Sequence, residues 1–369
     1  MKTSICSMCG HKLPSEEVYV FDEEEMCLDC LEEHTVLCYE CGERIWCEDN
    51  QGSEEHPLCR RCYDEDYTNC MRCGALLRWS DAYYRDRDEE HDHPYCDSCY
   101  YNLPKDYIQN YYYKPQPIFY GEGPRYFGVE LEMDEGGESE EHAEQLLEIA
   151  NRCGEEYVYC KHDGSLNDGF EIVTHPMTLE YHMQKMPWTD ILHEAVRMGY
   201  RSHQADTCGL HIHVSRRAFG STEAEQDAVI ARILYFVEKH WEEILKFTRR
   251  TQRQMDQWAA RYGYQERPQD ILDHAKKGNG QGRYVCVNLH NYHTVEFRMF
   301  RGTLKCNTLV ATLQFVNRLC DLALHLSDEE IKALSWSQFA AECTAPELVQ
   351  YLKERRLYVN DVVESEEEV

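Results

Sequence analysis

The stretch CGLHIHVS, residues 208–215, decides the fold, because its apolar and polar side chains alternate with the two-residue period of an extended strand. Leu210, Ile212 and Val214 fall on one face, and His211, His213 and Ser215 share the other. One face reads as core, the other as a site.

Neighbouring runs repeat the pattern. In GVELE, Glu130 and Glu132 lie opposite Val129, Leu131 and Met133. In TVEFRMFRG, Glu296 and Arg298 lie together, backed by Val295, Phe297 and Met299, and KHDGSLNDGFEIVTHP adds Lys161, Asp163 and Glu171. A half-exposed antiparallel strand ordinarily carries polar residues toward water, so one such strand alone says little. Here the polar residues are carboxylates, histidine and arginine, and four or five strands share the feature. Carboxylates crowd one face at neutral pH only if cations neutralise them. Glutamate oxygens with an imidazole suit Mg²⁺ or Mn²⁺, ions that bridge phosphate oxygens, and Arg298 and Arg301 offer planar forks for phosphate or carboxylate. By strict alternation Arg301 points away from Glu296, so it joins the site only if the strand bends near FRGT.

Further strands are expected in EEYVYCKHD and RYVCVNLHN, and helices over about 139–153, 179–198, 222–248, 307–326 and 345–356. STEAE opens the third helix like a capping box. This interleaving predicts an α+β fold with helices packed on one side of the sheet. The run 104–124, rich in tyrosine, proline and glycine, reads as a packed linker before a main domain over 125–327. Residues 328–369 read as a helical extension with an acidic, disordered tail.

GVELE, KHDGSL with FEIVTHP, GLHIHVS and VEFRMFRGTL, in this order, resemble the amidoligase family of the glutamine synthetase-like carboxylate-amine ligases over roughly 125–325. The resemblance implies a curved antiparallel sheet whose concave face binds ATP and two or more Mg²⁺ or Mn²⁺ ions. It implies that Glu130, Glu132, His211 and Glu296 ligate metal and that Arg298 contacts phosphate. Asp163 and Glu171 match the family's DGS and E-I-V-T-x-P positions, and His213 is either a substrate or outer contact or a satisfied core histidine. The implied reaction is attack of a carboxylate on the γ-phosphate of ATP, then capture of the acyl phosphate by an amine. Glu171 is a candidate acceptor for the amine's proton.

The first hundred residues differ in kind. Thirteen of the twenty cysteines lie there, and twelve form CxxC pairs whose leading members Cys6, Cys38 and Cys70 recur every 32 residues. The pairs are Cys6/Cys9 with Cys27/Cys30, Cys38/Cys41 with Cys59/Cys62, and Cys70/Cys73 with Cys96/Cys99, separated by 17, 17 and 22 residues. Four thiolates at such spacings close a tetrahedron around Zn²⁺, so residues 1–103 are expected to be three tandem zinc ribbons or treble-clef knuckles of LIM-like kind. Pairing within each repeat is expected, with a cross-braced alternative. Cys47, His56, His91 and His93 lie in the loops as substitute ligands or solvated residues. The glycine after each leading pair, Gly10, Gly42 and Gly74, suits a tight turn around the metal. These units are expected to dock a protein or peptide.

Against 38 Lys+Arg stand 68 Asp+Glu, a net charge of −30 that repels nucleic acid and anionic lipid at long range. No apolar run approaches the roughly 18 residues of a membrane span, and the opening MKTSICSMCGHKLPSEE has no secretory apolar core. The expectation is a cytoplasmic ligase acting on peptide, protein or small-molecule carboxylates and amines. No Walker-type loop occurs, and KKGNGQGR, 276–283, fits either a phosphate-covering loop carrying Arg283 or an ordinary mobile one. Cys160, Cys208 and Cys286 read as packed residues. Two other readings stay open: a metal-dependent hydrolase, since H-x-H with carboxylates also activates water, and a zinc-knuckle interaction protein with an inactive ligase-like domain.

Overall fold

A computed structural model describes residues 3–85, 93–103, 105–278 and 282–358. The chain divides into two compact units, Met1–Lys105 and Asp106–Val369. His91 and the acidic tail from 359 onward lie outside the described residues, as do positions 279–281 of the glycine-rich loop.

The first unit is built of short hairpins, each too small to bury a core alone. Thr3–Ile5 pairs with Lys12–Pro14, Thr35–Leu37 with Arg44–Trp46, and Tyr67–Asn69 with Leu76–Arg78. A short helix starts within the second cysteine pair of each repeat, capped by its first cysteine and holding its second: Leu28–His34, Arg60–Asp66 and Asp97–Tyr101. Gly10, Gly42 and Gly74 take φ of 76°, 72° and 72°, the left-handed region their turns require.

The second unit holds a seven-stranded sheet. Its strands are β1 (Ile108–Gln109), β2 (Phe127–Met133), β3 (Val158–Lys161), β4 (Phe170–Thr174), β5 (Gly209–Ser215), β6 (Val287–Asn288) and β7 (Thr294–Arg301). The order is β6-β7-β5-β2-β4-β3-β1. Every pair is antiparallel except β3 with β1, which is parallel. That edge strand comes from the stretch expected to be a linker, and RYVCVNLHN contributes only the two residues of β6.

The alternating apolar face meets the helices. Val129, Leu131, Met133, Leu210, Ile212, Val214, Val295, Phe297 and Met299 are all fully buried in one cluster with residues of the helices Glu223–Lys239 and Cys306–His325. Two expected helices are broken. The span 179–198 divides into Leu179–Gln184 and Trp188–Arg197 around Pro187, which cannot donate a helix hydrogen bond. The span 222–248 divides at His240 into Glu223–Lys239 and Trp241–Thr248, behind the capping box of Thr222 and Glu225. Helices at Asp328–Ala333, Trp336–Ala341 and Pro346–Glu354 bring Phe339, Leu348 and Leu352 into the same core.

Two buried histidines tie this core to pH. His182 Nε2 lies 3.1 Å from the Phe127 carbonyl and His240 Nε2 lies 3.2 Å from that of Leu334. Burial pulls each imidazole down to about 4, outweighing the carbonyls. An unfolded histidine takes up its proton near pH 6.5, so between about 6.5 and 4 the unfolded chain binds protons that the folded one refuses. The stabilisation is complete above that window and is lost as pH falls through it. At pH 5.5 the expected loss is about 1 kcal/mol per histidine, read from urea unfolding at pH 7.5 and 5.5. A His182→Gln, His240→Gln variant with an undiminished pH dependence would remove these residues as the cause.

Candidate functional site

Each cysteine quartet gathers within its own repeat: Cys6, Cys9, Cys27 and Cys30; Cys38, Cys41, Cys59 and Cys62; Cys70, Cys73, Cys96 and Cys99. Zn–S bonds of about 2.3 Å imply sulfur–sulfur edges of about 3.8 Å in a tetrahedron. The Cys9–Cys27, Cys41–Cys59 and Cys73–Cys96 separations are 3.9, 3.8 and 3.8 Å. The thiols are also prepared electrically. Backbone amides, chiefly that of Cys9, hold the Cys6 thiol down at about 6. Burial opposes the same effect at Cys38 and Cys70, where amides still win and the thiols stand at about 6. The fourth sulfur moves the other way: burial and neighbouring sulfurs raise Cys62 and Cys99 to about 12. Four sulfurs so close cannot all ionise without a cation, and soft thiolates in a closed quartet fit Zn²⁺. Cys47 and His56 belong to no quartet: the Cys47 thiol faces the Glu33 carbonyl, and His56 packs on Tyr39.

On the second unit, the polar face of the sheet floors a cavity lined by Glu130, Glu132, Lys161, Asp163, Glu171, His211, His213, Arg283, Glu296 and Arg298. The pairing explains the convergence. Glu130 stands opposite His211 and Glu132 opposite Glu171, while Glu171 also stands opposite Lys161 and His213 opposite Glu296. Side chains opposite one another in an antiparallel pair share a face, so five strands deliver their charges to one place.

Two groups emerge within it. Ligand atoms of Glu130, His213 and Glu296 lie within 4.8 Å of one another, as do those of Glu132, Asp163 and Glu171. His211 sits between them, its Nδ1 3.2 Å from Glu130 and its Nε2 3.6 Å from Glu132. His213 Nε2 lies 3.1 Å from Glu130 Oε1 and 4.0 Å from Glu296 Oε1, and His211 Nδ1 lies 3.9 Å from the same Glu296 oxygen, so both imidazoles border the Glu130 and Glu296 carboxylates.

The electrostatics follow from crowding. Burial pushes the Glu130 carboxyl up, but His213 and His211 more than reverse this and leave it well below the usual carboxylate range. Burial pulls His213 down, and Glu130 and Glu296 hold it up at about 9. Glu171 is raised well above the ordinary value by burial and by Glu130, although Lys161 pairs with it at 3.2 Å. A face where one carboxylate cannot ionise beside its neighbours has an excess of negative charge, and hard oxygens with one imidazole fit Mg²⁺ or Mn²⁺.

Arg301 comes to this face by a route that alternation alone forbids. The β5–β7 register shifts between Leu210 and Ile212, so Phe300 stands opposite Leu210 and Arg301 opposite Gly209. This extra residue on β7 turns Arg301 back to the side of His211. Its side chain then points to the Arg249 carbonyl at 3.4 Å and toward Asp206, and it does not line the cavity.

Several lining residues escaped the sequence reading. Asn288 and Asn291 donate to Glu296 Oε2 at 2.8 and 2.9 Å, while Arg298 donates to Oε1, which fixes that carboxylate. Tyr111, Trp258, Tyr284 and Arg250 complete the walls. Tyr111 lies just beyond β1, and its hydroxyl accepts from Arg283, which precedes the opposite edge strand β6. Lys276 turns away, to Asp227 at 2.5 Å. Cys160, Cys208 and Cys286 are buried; burial raises the Cys208 thiol to about 12, which leaves it no nucleophilic character at neutral pH. Among the described residues no helix is long and apolar enough to cross a membrane.

The model of the family described as "Putative amidoligase enzyme" matches residues 149–320, the same family that the four motifs resemble. The matched span contains Lys161, Asp163, Glu171, His211, His213, Glu296 and Arg298 and begins after Glu130 and Glu132. No curated protein matches the chain. Among solved structures, a bifunctional glutathione synthetase from Pasteurella multocida is similar at 13% identity and a TM-score of 0.36, over 63% of this chain and 46% of that one. The complex between the prokaryotic ubiquitin-like protein Pup and its ligase PafA is similar at 9% identity and a TM-score of 0.28, over 63% of this chain and 58% of that one. The chain thus covers less than two thirds of the length of each.

Proposed function

We propose that this chain is an ATP-dependent carboxylate–amine ligase of the amidoligase kind, with a zinc-bearing N-terminal unit that recruits a protein or peptide. The observation that carries the reading is the adjacency, on one sheet face, of Glu130, His213 and Glu296 with Glu132, Asp163 and Glu171, flanked by Arg298. The first group would hold one divalent ion, and Glu132 with Asp163 would hold a second. When bound, such ions screen the charge of the polyphosphate.

The remaining steps belong to the chain and its substrates. A carboxylate oxygen of the acid attacks the γ-phosphorus of ATP and ADP leaves, so an acyl phosphate forms. The amine nitrogen then attacks the acyl carbon, phosphate leaves, and one amine proton must be accepted nearby. Glu171, whose proton affinity burial among like charges raises, is the acceptor once cations on this face let it ionise, with Lys161 orienting it at 3.2 Å. Arg298, held by Glu296 on one side, presents its fork to the transferring group. Asp163 is set for its place by accepting from the Ser165 amide at 2.7 Å and from its hydroxyl. The positioning of acid, phosphate and amine on one rigid sheet then supplies much of the rate.

The test is ADP release by the full, zinc-loaded chain with Mg²⁺, following acids and amines added singly and together. The expected result is ADP formation that requires an acid and rises with an amine, with an amide as product. Cleavage of an amide or ester without ATP would replace this reading with a hydrolase.

A further inference from the structure

We infer that Arg250 is a phosphate-binding residue of this cavity: it takes the polyphosphate tail of a nucleoside triphosphate, opposite the carboxylate floor, together with Arg298. The inference rests on the ligase reading and extends it to a residue outside every motif that the sequence presents.

Its backbone is fixed from both sides. Arg249 ends the helix Trp241–Thr248 in the left-handed conformation, φ 61°, and Thr251 starts the next helix with a capping box closed by Gln254. Between these two anchors Arg250 is carried inward to line the cavity.

Its side chain is then left incompletely paired. Nη2 donates to the Phe300 carbonyl at 3.2 Å, while Nε is shielded from solvent and has no partner. Arg125 and Arg261 of this unit meet carboxylates, Asp321 at 2.9 Å and Glu238 at 2.8 Å, while Arg216 bonds only to carbonyls, those of Leu289, Asn291 and Thr294. Among the described residues Arg250 has no carboxylate at salt-bridge distance, although Glu132 faces it. Burial, with Arg298 and Arg301 adding like charge, draws its guanidinium down to about 10. The shielded Nε atoms of Arg298 and Arg301 are unpartnered as well. Two guanidiniums that line the cavity, those of Arg250 and Arg298, thus keep spare donors, an arrangement that favours an anion of more than one charge.

Gly209 supplies the second observation. A Cβ at this position would stand 2.6 Å from His211 Nε2, 2.9 Å from Arg250 Nη2 and 3.3 Å from Glu132 Oε2. The missing side chain leaves the guanidinium, the imidazole and the carboxylate gathered around one backbone position with open space between them. An anion there is held by arginine on one side and faces the metal-fitting carboxylates on the other. Polyphosphate fits that description, because its several oxyanions can satisfy both at once.

The experiment is calorimetric titration of the full chain and of Arg250→Gln and Arg250→Lys, with Mg²⁺ and either the β,γ-imido analogue of ATP or AMP. Loss of a charge-assisted hydrogen bond pair is expected to weaken the analogue roughly 10- to 100-fold in Arg250→Gln, with a smaller loss in Arg250→Lys. AMP binding and the melting temperature stay at the wild-type level. Equal weakening of AMP and the analogue, or an analogue bound as tightly as by wild type, overturns the inference while leaving the ligase reading intact. A wild-type chain that binds neither nucleotide overturns both.

Discussion

Replacing Glu130 by glutamine is expected to lower acid- and amine-dependent ADP formation roughly 10²- to 10³-fold, with the melting temperature near that of wild type. Glu130 is the carboxylate that both imidazoles reach: His211 Nδ1 at 3.2 Å from Oε2 and His213 Nε2 at 3.1 Å from Oε1. Glutamine keeps the shape of the side chain and one acceptor but removes the charge that pairs with His213 and helps hold a dication. The fold should tolerate the change, because the core lies on the opposite side of β2, and the attraction of Glu130 to His211 and His213 is offset by its repulsion of Glu171 and Glu296. Steady-state ADP release with a parallel thermal melt separates the two effects. Wild-type turnover in Glu130→Gln would remove this carboxylate from the chemistry, and a large drop in melting temperature would make it structural.

Stripping the cysteine quartets of metal is expected to unfold the Met1–Lys105 unit and to leave the Asp106–Val369 unit folded. The first unit has almost nothing else to hold it. Among the described residues its buried clusters are Cys38, Leu58, Cys59, Cys62 and Tyr67, and Cys6, Met26, Cys30 and Leu31, so about half of their members are the ligands themselves. Metal binding in structural zinc sites is worth about 10–16 kcal/mol, more than so few apolar side chains can replace. The second unit has a continuous core over its sheet and helices. Amide exchange after chelation under reducing conditions reads each unit separately, and Cys62→Ser should reproduce the loss in the middle repeat. Protected amides throughout the first unit without metal would show that its hairpins fold unaided.

If ligation of a protein substrate depends on that unit, chelation should also raise the concentration of protein acceptor needed for half-maximal rate while sparing small acids or amines. The comparison ties the two units by function, and it needs only the assay already described for ADP release.

Much of this was legible along the chain because it is periodic. Alternation in GVELE, GLHIHVS and TVEFRMF assigned Glu130, Glu132, His211, His213, Glu296 and Arg298 to one face and their neighbours to the core, which is where they lie. The recurrence of CxxC announced the three quartets, and Gly10, Gly42 and Gly74 announced their left-handed turns. A period is a local property, set by the geometry of one strand or one turn, and needs no knowledge of what packs against it. What only the tertiary structure decided is which of those side chains meet. The shifted register between β5 and β7 returned Arg301 to the site face and left it short of the cavity, and cross-strand pairing brought His211 opposite Glu130 and His213 opposite Glu296. Pro187 and His240 broke helices that periodicity would have run through. Arg250, Asn288, Asn291 and Tyr111 arrived from turns and strand edges that carry no period at all. Their positions depend on chain closure between residues far apart in sequence, and that is set by packing the whole unit at once.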